Sequence, residues 1–289
     1  MTLRSALGAI TAQEDLNFLL TNRIPRRALT LFMGWFSKLE LPVVREVSIG
    51  LWKLFSDVDL SDAKQSRFAS LHDAFTRELR PGARPIAQDA DVLCSPSDAI
   101  VGAWGTVDRG NLYQAKGFPY RLQDLLVDPQ LVAQHEGGRY VTLRLTAGMY
   151  HRFHAPQELS VQRVTYMSGD TWNVNPIALA RVEQLFCRNE RAVIQTTLAG
   201  SGEAVTIVPV AAILVASLRL HFLDVRLHLR YRGPNRMDCS AHLARGQEMG
   251  WFEHGSTIIL FVPPGYSLCP GIQTGTQVRM GQALLRRSD

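Results

Sequence analysis

The hydrophobic period of this 289-residue chain changes once, and the change constrains its fold more than any single motif. In the first eighty residues, apolar side chains recur at three- and four-residue steps. Ala28, Leu31, Phe32, Trp35 and Leu39 form one stripe, Val44, Val47, Leu51, Leu54 and Phe55 a second, and Phe68, Leu71, Phe75 and Leu79 a third. That spacing predicts amphipathic helices, with Pro42 well placed as the first residue of the second. From about Val92 the period becomes two. Residues Tyr140 to Leu145, Leu218 to Phe222 and Leu223 to Arg230 alternate as half-buried strands do. Turns are marked by Gly137-Gly138, Gly169-Asp170, Gly200-Ser201-Gly202 and Gly233-Pro234, and Leu122 to Val127 reads as a short helix. Helices first and strands after predict an α+β protein, with N-terminal amphipathic helices followed by a mostly antiparallel, barrel-like β-sheet core. The division expected is 1–80 helical and 81–289 β-rich.

Charge narrows the partners. A formal net charge of +5 and a pI near 9.2 favour an anionic surface. No lysine-rich run, zinc-finger spacing or RNA-binding signature points to nucleic acid, so acidic lipid is the partner expected. Arg23, Arg26, Arg27, Lys38, Arg45 and Lys53 flank the first two apolar stripes, which contain Trp35 and Trp52. That combination suits a helix lying in a membrane interface; a helical hairpin packed on the protein's own core gives the same pattern. Neither apolar run, 28–36 or 207–216, is longer than about ten residues, whereas crossing a bilayer takes roughly 20. Cys94, Cys187, Cys239 and Cys269 are widely scattered, against a zinc or redox motif. With no signal-peptide pattern in Met1 to Thr11, free buried thiols are expected.

Three segments can carry chemistry. Asp98 is an acid inside a short apolar stretch, where it either caps its own turn or serves a site. In Tyr150-His151-Arg152-Phe153-His154-Ala155-Pro156, two histidines three residues apart could be metal ligands, an acid/base pair or an anion-binding cluster. Pro156 favours extended backbone, in which positions i and i+3 face opposite ways, so the histidines are expected to have different jobs. No third ligand lies nearby at a recognised spacing, so no metal is expected. Gly255-Ser256-Thr257 is either an ordinary turn or a serine poised for nucleophilic attack. Asp98, His154 and Ser256 make a candidate charge relay: orienting acid, base and nucleophile.

These segments resemble the signatures of the bacterial, pyruvoyl-dependent phosphatidylserine decarboxylases. The match rests on Asp98 with Gly102, on Tyr150 through Pro156, and on Gly246-Gln247-Glu248-Met249-Gly250-Trp251-Phe252-Glu253-His254-Gly255-Ser256-Thr257. Phe75 to Pro81, Arg84-Pro85-Ile86, Lys116-Gly117, Val174-Asn175-Pro176, Asn189-Glu190-Arg191 and Arg279 to Gln282 add smaller agreements, over roughly residues 20 to 285. The resemblance implies a proenzyme that cuts itself between Gly255 and Ser256, giving a β chain of 1–255 and an α chain of 256–289. His154, assisted by Asp98, would deprotonate Ser256, which becomes a pyruvoyl group that forms a Schiff base with the amine of phosphatidylserine. His151 is assigned by this analogy to the decarboxylation step and Arg152 to substrate binding.

Phosphatidylethanolamine would be the product, and the implied location is peripheral, on anionic lipid at the cytoplasmic face of the bacterial inner membrane. A homodimer is compatible with all of this. Two departures stand out: His254 replaces the leucine usual before the cleavage-site glycine, and residues 200–216 match poorly. The other readings are a serine hydrolase using Asp98, His154 and Ser256, which lacks a Gly-x-Ser-x-Gly elbow, and a non-catalytic peripheral membrane protein.

Overall fold

The computed structural model describes residues 13–112, 119–214, 217–253 and 256–288. His254, Gly255, Lys116 and Gly117, like Met1 to Thr11, lie outside the described residues. Helices α1 (Glu14–Asn22), α2 (Arg26–Phe36) and α3 (Pro42–Phe55) come first, and α4 (Leu71–Phe75) follows. Pro42 does open α3, where a missing N–H removes no helical hydrogen bond. The third stripe is shorter than its period suggests. Ser70 caps α4 by accepting from the Asp73 amide at 3.1 Å, but the helix stops at Phe75. The buried Arg77 beyond it donates to carbonyls of Ala74, Asp59 and Gly148, and Leu79 bridges Ala63 in extended backbone.

The strands are β1 (Val92–Cys94), β2 (Ala99–Thr106), β3 (Asn111–Leu112), β4 (Tyr120–Arg121), β5 (Arg139–Leu145), β6 (Arg152–His154), β7 (Leu159–Met167), β8 (Arg191–Leu198) and β9 (Ala204–Ala211). They continue with β10 (Leu218–Leu220), β11 (Val225–Leu227), β12 (Arg236–Leu243), β13 (Glu248–Phe252), β14 (Ser256–Val262), β15 (Tyr266–Leu268), β16 (Gln277–Val278) and β17 (Ala283–Arg287). Short helices α5 (Leu122–Leu126), α6 (Pro129–Gln134), α7 (Pro176–Arg181) and α8 (Leu185–Arg188) interrupt them. Asp128 and Asn175 cap α6 and α7 by accepting from the amides of Gln130 and Ala178. The expected strand over 223–230 shrinks to β11, because Asp224 turns the chain at a φ of 49°.

An eight-stranded sheet carries the core in the order β12-β7-β8-β9-β14-β5-β2-β16, and all its pairings are antiparallel. Its end strands do not pair with each other, so among the described residues the sheet is open and no barrel closes. Strand β14 lies deep inside it, between β9 and β5, with every residue buried. Such a strand reads as a continuous apolar run, as Ile258 to Val262 does. A second sheet, β11-β10-β13-β6, holds the histidine segment, and a third, β1-β17-β15, closes the C-terminal end. The chain therefore leaves β13 in one sheet and enters β14 in another across 253–255.

Candidate active site

Ser256 is the first residue of β14, opposite Leu145 on β5 and Ala211 on β9. It is fully buried, and its Oγ has no hydrogen-bond partner among the described residues. An orphaned buried hydroxyl costs about 1–3 kcal/mol, so it marks a position kept for something other than stability. Ser256 lines a cavity of ≈ 810 Å³. Its walls are mainly apolar and come from α2 and α3 (Met33, Phe36, Val44, Leu51), from Phe75 on α4, from Leu145 and Val174 of the core, and from the half-buried Leu214.

The two histidines occupy different surroundings, as the extended backbone at Pro156 suggested. His151 is fully buried with its ring centroid 4.2 Å from that of Phe75, the side chain that forms part of the cavity wall. Its Nδ1 lies 2.8 Å from the Met149 carbonyl, which can only accept, so Nδ1 carries the proton. His154, at the end of β6, donates from Nδ1 to the Gly246 carbonyl at 3.0 Å. Its Nε2 accepts from the Tyr150 hydroxyl, also at 3.0 Å. Burial lowers the His154 pKa, which keeps the ring neutral with its lone pair on Nε2. Burial likewise raises the Tyr150 phenol, which therefore stays a donor. Gly246 has φ +74°, and a Cβ there would lie 2.2 Å from Ile86 Cδ1, so only glycine presents this carbonyl to the imidazole.

Asp98 is gripped elsewhere. Arg84 donates to both its oxygens, Nε to Oδ1 at 2.9 Å and a terminal nitrogen to Oδ2 at 2.7 Å, and the Met280 amide adds a bond of 2.9 Å to Oδ1. Arg84, Met280, Tyr150 and His154 line a separate polar pocket of ≈ 220 Å³. Asp98 thus reaches that pocket only through Arg84 and Met280, which line it, and shares no hydrogen bond with His154, while Ser256 opens to the apolar cavity. The three residues of the relay are not linked by hydrogen bonds. Arg152 is committed to protein partners, donating to Glu248 at 2.8 Å and to the Thr76 carbonyl at 2.8 Å, with its guanidinium 4.9 Å from the Trp251 ring centroid.

Glu253 escaped sequence reasoning. It is buried just after β13, two residues ahead of Gly255 in the sequence, and meets Arg226 at 2.6 Å, Lys38 at 3.3 Å and His72 at 3.8 Å. Burial opposes its ionisation, but His72, Arg226 and Lys38 together hold the carboxyl below its usual range. The cluster pins the segment entering β14 to the end of α2 and to α4. A glutamate directly after a tryptophan-containing strand gave no sign of this, because its partners lie far away in the sequence.

Comparison with known proteins finds relatives along nearly the whole chain. The family model for phosphatidylserine decarboxylase matches residues 71–286. The phosphatidylserine decarboxylase proenzyme of Methylibium petroleiphilum is 34% identical over 279 residues, covering 94% of this chain and 97% of that protein. The proenzyme of Haemophilus influenzae is 34% identical over 270 residues, covering 90% of this chain and 92% of its own length. That of an Anaeromyxobacter species is 36% identical over 269 residues, covering 90% and 94%. These likenesses define the class of protein, a decarboxylase. The chain belongs to the phosphatidylserine decarboxylase family.

Proposed function

We propose that this chain decarboxylates phosphatidylserine to phosphatidylethanolamine after cutting its own backbone between Gly255 and Ser256. The observation that carries the reading is the Ser256 hydroxyl, buried and without a partner among the described residues, on the wall of a mainly apolar cavity. A pyruvoyl group derived from Ser256 fits there, since its atoms are those of residue 256 and the cavity leaves room for a lipid beside it. When formed, that group supplies an electron sink for the carbanion left as carbon dioxide departs.

In the cutting step, the neutral His154 takes the Ser256 Oγ proton on Nε2, with Asp98 holding the polar pocket around it. The oxygen bonds to the Gly255 carbonyl carbon and the Gly255–Ser256 C–N bond breaks, leaving an ester. Loss of the residue 256 α-proton then breaks the Cβ–Oγ bond, releasing Gly255 as a carboxylate. Water replaces the resulting enamine nitrogen, which leaves as ammonia. This sequence needs His154 to exchange Tyr150 for Ser256. In turnover, His151 handles the proton delivered after carbon dioxide leaves, being the histidine packed on the cavity wall. Residues 81–289 form the catalytic region, with a β chain of 1–255 and an α chain of 256–289.

Residues 1–80 form the membrane-contacting region. The buried residues of α2 and α3 are Thr30 and Ser48, whereas Trp35 is 61% exposed, Phe32 49% and Leu54 39%, none of them on the cavity wall. A helix pair with small polar residues inward and large apolar ones outward fits a lipid surface better than water. No described helix is long and apolar enough to span a membrane. Contact with anionic lipid at the cytoplasmic face of the inner membrane is the arrangement this favours.

Intact-mass measurement and a denaturing gel test the reading. The expected result is two fragments from the 32.2 kDa chain, the smaller beginning with the mass of a pyruvoyl group. Ser256→Ala is expected to leave one uncut chain that releases no carbon dioxide from phosphatidylserine. Normal fragments from that variant would remove Ser256 from the mechanism.

A further inference from the structure

The cavity beside Ser256 has one anomaly. Among the described residues that line it, Arg144 alone carries a charge. It sits on β5 opposite Thr257, one rung from the Leu145–Ser256 pair. The other half-buried or buried arginines of this fold are engaged: Arg84 by Asp98 and Asp62, Arg152 by Glu248, Arg26 by Asp170, Arg191 by carbonyls of Asp124 and Leu125. Arg144 has neither hydrogen bond nor ion pair among the described residues, and burial lowers its pKa with no carboxylate opposing that shift. A desolvated cation without a partner is costly, and a protein keeps one where a ligand brings the counter-charge.

We propose that Arg144 is the substrate anchor of this cavity and binds the phosphodiester of the phospholipid. The proposal rests on the reading of Ser256 as the reaction centre and names what holds the lipid there. The substrate carries two anions, and chemistry decides between them. Its carboxylate must lose its charge as carbon dioxide leaves, so a guanidinium on it would stabilise the ground state more than the transition state and slow the reaction. The phosphate keeps its charge throughout. It also lies between headgroup and acyl chains, and Arg144 shares one cavity with Ser256 and the apolar walls. Arginine suits the task because its planar fork can meet two phosphate oxygens at once.

The binding test uses the uncut Ser256→Ala protein, so that no turnover and no pyruvoyl group are involved. Short-chain phosphatidic acid, which has a phosphate and no carboxylate, is titrated by calorimetry. Diacylglycerol of the same chain length and the matching fatty acid are the controls. Adding Arg144→Gln should weaken phosphatidic acid binding roughly 10- to 100-fold, the range of one charge-assisted contact. Diacylglycerol binding should not change, and Arg144→Lys should restore part of the loss. Equal losses for phosphatidic acid and diacylglycerol would make Arg144 a purely structural residue. A selective loss for the fatty acid would assign it to carboxylates, and unchanged binding of all three would remove it from the site. Each of these three overturns the proposal.

In the wild-type background, Arg144→Gln should raise KM by a similar factor and keep kcat within a few-fold. A fall in kcat at constant KM would also overturn it. Absence of cutting and of carbon dioxide release in the unaltered protein would instead sink the reading of Ser256, and the phosphatidic acid titration would still decide on Arg144.

Discussion

Tyr150 and Phe75 separate two imidazoles that the sequence places three residues apart. His154 takes a hydrogen bond from the first, and His151 packs on the second at the cavity wall. Their losses should therefore be separable. His154→Ala is expected to leave the chain uncut, as is Asp98→Asn, which removes the charge that holds Arg84 at the pocket wall beside His154. His151→Ala should cut normally and then decarboxylate slowly, by the roughly 10²–10⁴-fold that a lost general acid or base costs. Each variant needs two readings, the fragment pattern on a gel and carbon dioxide released from phosphatidylserine. The opposite pattern would exchange the two roles, and two fully active variants would remove both histidines from the chemistry. Arg152, expected from its place between the histidines to bind an anion, spends one terminal nitrogen on Glu248 and its Nε on the Thr76 carbonyl. The cavity-lining cation without a partner among the described residues is Arg144, which in the sequence looks like the outward residue of an alternating strand.

Helices α2 and α3 wall the cavity with one side and show large apolar side chains to the outside with the other. Trp52 belongs to the inward set: its Nε1 donates to the Ala147 carbonyl at 3.1 Å and its ring lies 5.6 Å from Phe75. The tryptophan left for a lipid surface is Trp35. Replacing Phe32, Trp35 and Leu54, which are exposed and do not line the cavity, with serine should weaken flotation with anionic vesicles and slow turnover of bilayer phosphatidylserine. Turnover of a short-chain, water-soluble substrate should change much less. Equal losses on both substrates would mean that these side chains serve the cavity alone.

These elements also show what was legible beforehand. The period of the apolar residues located α2, α3, β5 and α5 closely, because each is decided by local burial. Period could not foresee that α4 stops after five residues, since the buried Arg77 that ends it is satisfied by carbonyls distant in the sequence. Nor could it show that β13 and β14 belong to different sheets. Sheet membership depends on which distant strands pair, and the sequence pattern of a buried strand is the same in either sheet.

Two buried groups with opposite titration behaviour bear on the folding of the whole molecule. Burial pushes the Glu190 carboxyl up from 4.5 to about 7, with Tyr166 donating to it at 2.6 Å. Burial pushes His135 down from 6.5 to about 4, where it meets Thr206 Oγ1 at 2.7 Å. Between pH 7 and 4.5 the folded state holds a proton on Glu190 that the unfolded chain lacks, so acidification favours folding there. Between pH 6.5 and 4 the unfolded chain protonates its histidine while the folded one does not, so acidification opposes folding. Each effect is on the order of 3 kcal/mol across its window and they partly cancel. Glu190→Gln removes the favourable one. Its melting temperature should drop more steeply than that of the wild type between pH 7 and pH 5, and parallel curves would show that Glu190 does not titrate as its burial implies.

The placement of β14 has one more consequence. The proposed cut falls at its head, yet residues 256–288 stay woven into the rest: β14 lies between β5 and β9, β16 pairs with β2, and β17 pairs with β1. Maturation would then leave the shape intact while turning one polymer into two. The proenzyme can recover from denaturation as a single molecule, whatever its dilution. The mature protein, once opened, must find a separate partner in solution to rebuild its central strand, so its recovery becomes second order and fades as the sample is diluted. A protein cut in the proposed way would fold once and from then on endure only by not coming apart.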